Sequence, residues 1–112
     1  MIITHWKEQP VKENPHKVDV RALYNRENAQ AMHITLQPGE QLKRHVTPVD
    51  VFFFVIEGTP TIEVGDEMME VGENMLIESP KDIVHCIYNK SEKSSRILVV
   101  KAPRPISSAR LL

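Results

Sequence analysis

The sequence predicts an all-β, single-domain fold, and three observations carry that prediction. Apolar and polar residues alternate over short runs, as in residues 17–24 (KVDVRALY) and 29–37, which is the period of a half-buried strand. Clusters of Gly, Pro, Asn and Asp interrupt these runs about every 8 to 12 residues, the spacing of barrels and sandwiches. No segment sustains a helical period. The 112 residues, 41% hydrophobic and 26% charged, suffice for one domain with its own core but not for two.

Taken in order, residues 1–16 form an irregular or edge segment, because Pro10, Asn14 and Pro15 break any regular run. Only Ile2, Ile3 and Trp6 there look worth burying, and His5 and His16 read as surface residues. Residues 17–24 put Val18, Val20 and Ala22 on one face of a strand. A polar turn at 25–28 leads to a second strand at 29–37. It carries Met32, Ile34 and Leu36 on one face, with His33 and Thr35 on an exposed or interface face. Pro38-Gly39 closes it, since glycine readily takes positive φ.

The run 51–56, VFFFVI, does not alternate, so both of its faces are covered. Val51, Phe53 and Val55 share the inward parity. Phe52, Phe54 and Ile56 point outward, against the N-terminal segment or a second subunit, because left bare they would promote aggregation. Residues 97–100 repeat the pattern, and the two runs together predict a homodimer. Strands at 60–64 and 68–71 flank the hairpin signal Gly65-Asp66. Further strands follow at 75–78, 83–88 and 96–102, separated by turns at 72–74 and 79–82 and a loop at 91–95. The barrel is thus expected over 17–102, and residues 103–112, with Pro103 and Pro105, form a tail.

Composition excludes several partners. A formal net charge of -1 offers no basic surface for a phosphate backbone, so nucleic acid is not an expected partner. No apolar run approaches the roughly 20 residues of a membrane span, and residues 1–6 are too short and interrupted for a signal peptide. The single cysteine, Cys86, makes no internal disulfide, and the chain reads as soluble and cytoplasmic. Cys86 follows His85 on one strand, points to the opposite layer with Tyr88, and reads as an inert buried thiol.

Two stretches organise the rest: residues 38–58, PGEQLKRHVTPVDVFFFVIEG, and residues 74–89, NMLIESPKDIVHCIYN. Each is a turn, strand, turn and strand, with one histidine on a strand that a turn has aimed. They resemble the two motifs of the cupin superfamily, small single-domain barrels of the double-stranded β-helix or jelly-roll type. Gly39, His45 and Gly58 fall at the spacings of the first motif. Asn74, Pro80, Asp82, His85 and Asn89 fall at those of the second, with Asn74 and Asp82 where glycine is usual. Asn and Asp tolerate the left-handed turn conformation better than other non-glycine residues.

The resemblance implies a metal or a small ligand in the barrel mouth. In the family, a His-x-His pair, a glutamate and a later histidine hold the ion. Here His45 and His85 stand at the first and last of those positions, while Thr47 and Val51 occupy the two between. Asp50 lies beside Val51. A strict period of two turns it away from the mouth, and a bulge near Pro48 would rotate it inward. The metal set implied is therefore His45, His85 and Asp50, holding one divalent ion (Fe, Mn, Ni or Zn), or no metal at all. The expected ligand pocket comprises Lys43, His45, Thr47, Val51, Phe53 and His85, with Lys43 inward by the parity of His45.

The favoured function is binding of a small, partly apolar molecule in the barrel mouth. The alternatives are a metal-dependent dioxygenase or isomerase using His45 and His85, and metal-free acid and base catalysis on a sugar or keto acid.

Overall fold

The computed structural model describes residues 1–112. Its strands are β1 (Asp19–Arg26), β2 (Ala29–Leu36), β3 (His45–Val46), β4 (Asp50–Glu57), β5 (Thr61–Val64), β6 (Glu67–Glu70), β7 (Leu76–Ser79), β8 (Val84–Tyr88), β9 (Ser95–Ala102) and β10 (Arg110–Leu111), with one 3-10 turn at Trp6–Glu8. They form two five-stranded sheets, ordered β1-β2-β9-β4-β7 and β10-β3-β8-β5-β6. Every pairing is antiparallel. The fold is all-β as expected, and no helix is long and apolar enough to cross a membrane.

The interior strand β4 behaves as its sequence demands. Val51, Phe53 and Val55 of β4 are buried inside, and the alternate residues Phe52, Phe54 and Ile56 are half-buried on the outer face. Phe53 joins Leu36, Ile87 and Ile97 in the core. Fully burying a side chain of this size stabilises the fold by about 1.5–3 kcal/mol.

Two turns aim the second stretch, and both use the left-handed conformation that Asn and Asp tolerate. Asn74 has φ 67° and Asp82 φ 64°. Each turn is tied to the first stretch: Asn74 N donates to the Val55 carbonyl of β4 (2.8 Å) and Asp82 N to the Thr47 carbonyl just after β3 (2.9 Å). Gly58 ends β4 at φ 88°, and a Cβ there would lie 2.7 Å from the Ser94 carbonyl oxygen, so no side chain fits.

The chain ends differ from expectation. Ile2 and Ile3 are exposed, and of the leading residues singled out for burial only Trp6 packs down. Its ring stacks on His33 at 4.2 Å and 15°, with the Arg21 and Arg96 guanidinium groups 5.2 and 5.1 Å from its centroid. Arg21 Nη1 also donates to the Lys7 and Gln9 carbonyls. His33 is therefore buried beneath the chain's own N-terminal segment. Because that segment lies over β2, the outer row of β4 keeps partial exposure beside half-buried Leu98 and Val100 of β9 and exposed Leu76 of β7. At the other end, the expected free tail returns as β10. Arg110 pairs with Val46 and Leu111 with His45, and Leu112 N donates to the Arg44 carbonyl. The tail thereby satisfies the backbone groups of β3, which would otherwise be a bare sheet edge.

Candidate functional site: the barrel mouth

His45 and His85 face each other directly across the β3–β8 pairing. Their rings meet edge to face at 4.4 Å, and the two Nε2 atoms are 3.0 Å apart. The partners on either side fix the proton positions. His45 Nδ1 lies 2.7 Å from the Lys43 carbonyl, which only accepts, so Nδ1 carries the hydrogen and Nε2 a lone pair. That lone pair accepts the Nε2–H of His85. His85 Nδ1 is then left to accept from the Ser79 hydroxyl at 2.7 Å. Thr47 Oγ1 stands 3.2 Å from the same His85 Nε2.

The hydrogen-bonded chain Ser79, His85, His45, Lys43 is complete with both imidazoles neutral. Burial, then the neighbouring positive forms of His45, Lys101 and His16, push His85 down to about 3. Burial also lowers His45, and its bond to the Lys43 carbonyl opposes the shift.

Beside this pair opens a cavity of about 530 Å³. Its walls include Met32, Ile34, Phe53 and Val99, and residues 12–16 and 105–109 border its mouth. Two polar side chains come from a single register position: Gln30 on β2 is paired with Lys101 on β9, and both line the cavity. A third, His16, comes from the loop before β1. The Asn14 amide staples that loop, accepting from His16 N and Val18 N and donating to the Lys12 and Val18 carbonyls. His16 Nδ1 accepts from Lys43 N at 2.8 Å, which leaves its hydrogen on Nε2, and its ring lies 5.0 Å from that of His45. Burial, followed by the charges of His45, Lys101 and Lys43, lowers His16 to about 4.

Of the six pocket residues expected from sequence, His45, Phe53 and His85 line the cavity. Thr47 is buried behind it against His85, and Val51 sits in the core. Lys43 is a correction: its side chain is exposed, and its contribution is a backbone N–H to His16 and a carbonyl to His45. The parity argument fails because β3 is only two residues long, and Leu42, three before His45, is the buried neighbour.

Asp50 is a second correction. It is exposed, and its Oδ1 accepts from Lys81 N at 2.9 Å, capping the turn before β8 instead of entering the mouth. His16, Gln30 and Lys101 are the residues that sequence reasoning missed. Cys86 is fully buried, its Sγ 3.1 Å from the Leu42 carbonyl, and burial raises its thiol. Tyr88 on the same side of β8 donates to Glu63, away from the mouth.

These side chains do not fit a metal centre of the usual kind. No group of three His, Cys, Asp or Glu converges anywhere in the chain. His45 and His85 supply two nitrogens, hydrogen-bonded to each other, and Thr47 adds only a neutral hydroxyl. Catalytic zinc and non-haem iron take three protein ligands.

Comparison with known proteins extends the picture. The family profile described as Cupin domain matches residues 32–101. The chain is 32% identical over 87 residues to the uncharacterized protein MJ0764 of Methanocaldococcus jannaschii, covering 77% of this chain and 75% of that one. The crystal structure of that protein, described as an RmlC-like cupin with a double-stranded β-helix fold, superposes with a TM-score of 0.75 at 28% identity, covering 94% of both chains. TT1209 from Thermus thermophilus gives a TM-score of 0.81 at 29% identity, over 94% of this chain and all of that one. The polyketide cyclase RemF of Streptomyces resistomycificus gives 0.86 at 17% identity, over 100% of this chain and 85% of that one, a likeness of fold alone.

Proposed function

The chain belongs to the cupin domain family, and from that premise we propose that it is a metal-independent binding barrel for a small, partly apolar molecule. The observation that carries this reading is the cavity of about 530 Å³, apolar at Met32, Ile34, Phe53 and Val99 and polar at Gln30, Lys101 and the histidines. Small-molecule sites have this size and this division of labour. Catalysis by the histidine pair is the weaker reading. A general acid or base works best with a pKa near the operating pH, and burial holds both His45 and His85 below the usual imidazole range.

A thermal-shift screen of small amphipathic compounds tests the proposal. A ligand at about a hundredfold its Kd stabilises by about 2.7 kcal/mol. In a chain of this size that raises Tm by about 10 °C. Val99→Phe narrows the cavity and is expected to abolish the shift, whereas an undiminished shift would put binding elsewhere. Metal content provides a second arm: near-stoichiometric metal that both His45→Ala and His85→Ala lose would overturn the metal-independent part.

The same reading takes the protein as a homodimer, because Phe52, Phe54 and Ile56 with Leu98 and Val100 form a half-exposed apolar row at the centre of one sheet. Sedimentation equilibrium is expected to give a dimer that Phe54→Glu dissociates. A wild-type monomer at micromolar concentration would remove this element.

A further inference from the structure

The cavity contains one group that its surroundings leave uncompensated. Lys101 is the last inward residue of β9 before the strand ends, following Ile97 and Val99 on the same face. It is partly buried, and its ammonium takes part in none of the protein's salt bridges, which are Arg21–Asp19, Arg44–Glu63 and Arg96–Glu57. Its neighbour in register, Gln30, is neutral. The other ionisable groups along the cavity are Lys12 and Glu13 at the rim and the three neutral imidazoles of His16, His45 and His85, so the site carries an excess positive charge. A half-buried cation without a counter-ion costs free energy, and folded chains pair such groups or leave them where a ligand supplies the partner.

Resting on the reading of this cavity as a binding site, we propose that its ligand is an amphipathic anion, a carboxylate or group of similar charge on an apolar body, whose charged end pairs with Lys101. The Gln30 amide and the Nε2–H of His16, which has no partner in the protein, are the neutral donors on the same cavity, and the apolar walls take the body of the molecule. At the rim Lys12 and Glu13 carry opposite charges, so the net charge of the lining is that of Lys101. Burial, and then the charge of Lys12, make the ammonium of Lys101 easier to deprotonate than usual, the direction expected of a cation that lacks a counter-ion.

Two fluorescent probes with one aromatic body separate the charge from the cavity: anilinonaphthalene sulfonate, an anion, and phenylnaphthylamine, which lacks the sulfonate. The wild-type protein is expected to bind both. Lys101→Met should weaken the sulfonate by about tenfold or more, the worth of one charge-assisted hydrogen bond, and leave the neutral probe unchanged. Lys101→Arg should restore the sulfonate. The empty Lys101→Met protein should also have a higher Tm than wild type, because an uncompensated charge has been removed.

If Lys101→Met binds the sulfonate as tightly as wild type, the anion inference falls while the binding barrel stands. A lower Tm for the empty variant would make Lys101 a structural residue and overturn the inference as well. If neither probe enters wild-type protein, the binding reading falls and takes this inference with it.

Discussion

Lowering the pH from 7 to 5 is expected to destabilise this protein steeply, with His85 as the largest contributor. In the folded state burial holds His85 at about 3 and His33 at about 4, against 6.5 for an exposed imidazole. The sign follows from proton counting. Below 6.5 the unfolded chain takes up protons at these positions and the folded chain does not, so the unfolded state gains free energy as pH falls. The stability is fully present above 6.5 and is lost on the way down to the folded values, where the dependence levels off.

Each such imidazole contributes a slope of about 1.4 kcal/mol per pH unit inside its window. At pH 5 this amounts to about 2 kcal/mol from His85 alone. His33, 1% exposed beneath the Trp6 segment and held at about 4, adds nearly as much by pH 5, and His16 at the open mouth adds less. A domain with a total stability of about 5–15 kcal/mol feels a loss of that size. Urea titrations at pH 7, 6 and 5 measure it directly. His33→Leu and His85→Leu should each flatten the slope, and a stability independent of pH over this range would mean that the histidines are not held neutral.

Much of this fold was legible where its strands obey a period of two. β4 keeps parity from Asp50 to Val55, before its register shifts between Val55 and Glu57, so VFFFVI alone separates the core row Val51, Phe53 and Val55 from the outer row. The turns were legible through residue chemistry: Asn74 and Asp82 stand where the motif has glycine and take the positive φ that few other residues tolerate. Parity failed at Lys43 because residues 41–44 are not one strand with His45. Leu42 N donates to the Ile87 carbonyl, and the chain then turns both Lys43 and Arg44 outward before β3 begins.

The missed site residues share a different cause. His16 lies in a segment whose sequence specifies only a loop, and what brings it to the mouth is a set of Asn14 hydrogen bonds that no periodicity encodes. Lys101 was hidden by its position, since a lysine at the end of an apolar strand ordinarily marks the exit to solvent. Its parity with Ile97 and Val99 was the available signal.

Replacing His85 with alanine is expected to cost about 3 kcal/mol and to lower Tm by about 12 °C. His85 is 2% exposed and is the meeting point of three side chains: its Nδ1 holds the Ser79 hydroxyl, and its Nε2 faces both His45 and Thr47. Ser79 and Thr47 are each 1% exposed, so removing the ring leaves two buried hydroxyls without their hydrogen-bond partner. Each buried polar group left unpaired costs about 1–3 kcal/mol, and the vacated volume adds to that.

One effect works in the opposite direction. His85 borders the cavity, so the space it leaves is continuous with about 530 Å³ that water can enter. Water reaching Thr47 and Ser79 would satisfy them in part, which is why the expected loss lies nearer 3 than 6 kcal/mol. His85→Gln separates the two contributions, since an amide keeps a donor and an acceptor in the gap. It should recover about half of the stability, and a double-mutant cycle with His45→Ala should show coupling of about 1 kcal/mol across the 3.0 Å contact. Purely additive losses would mean that the two rings only touch, and that the hydrogen-bonded chain through the mouth is not what holds the pair in place.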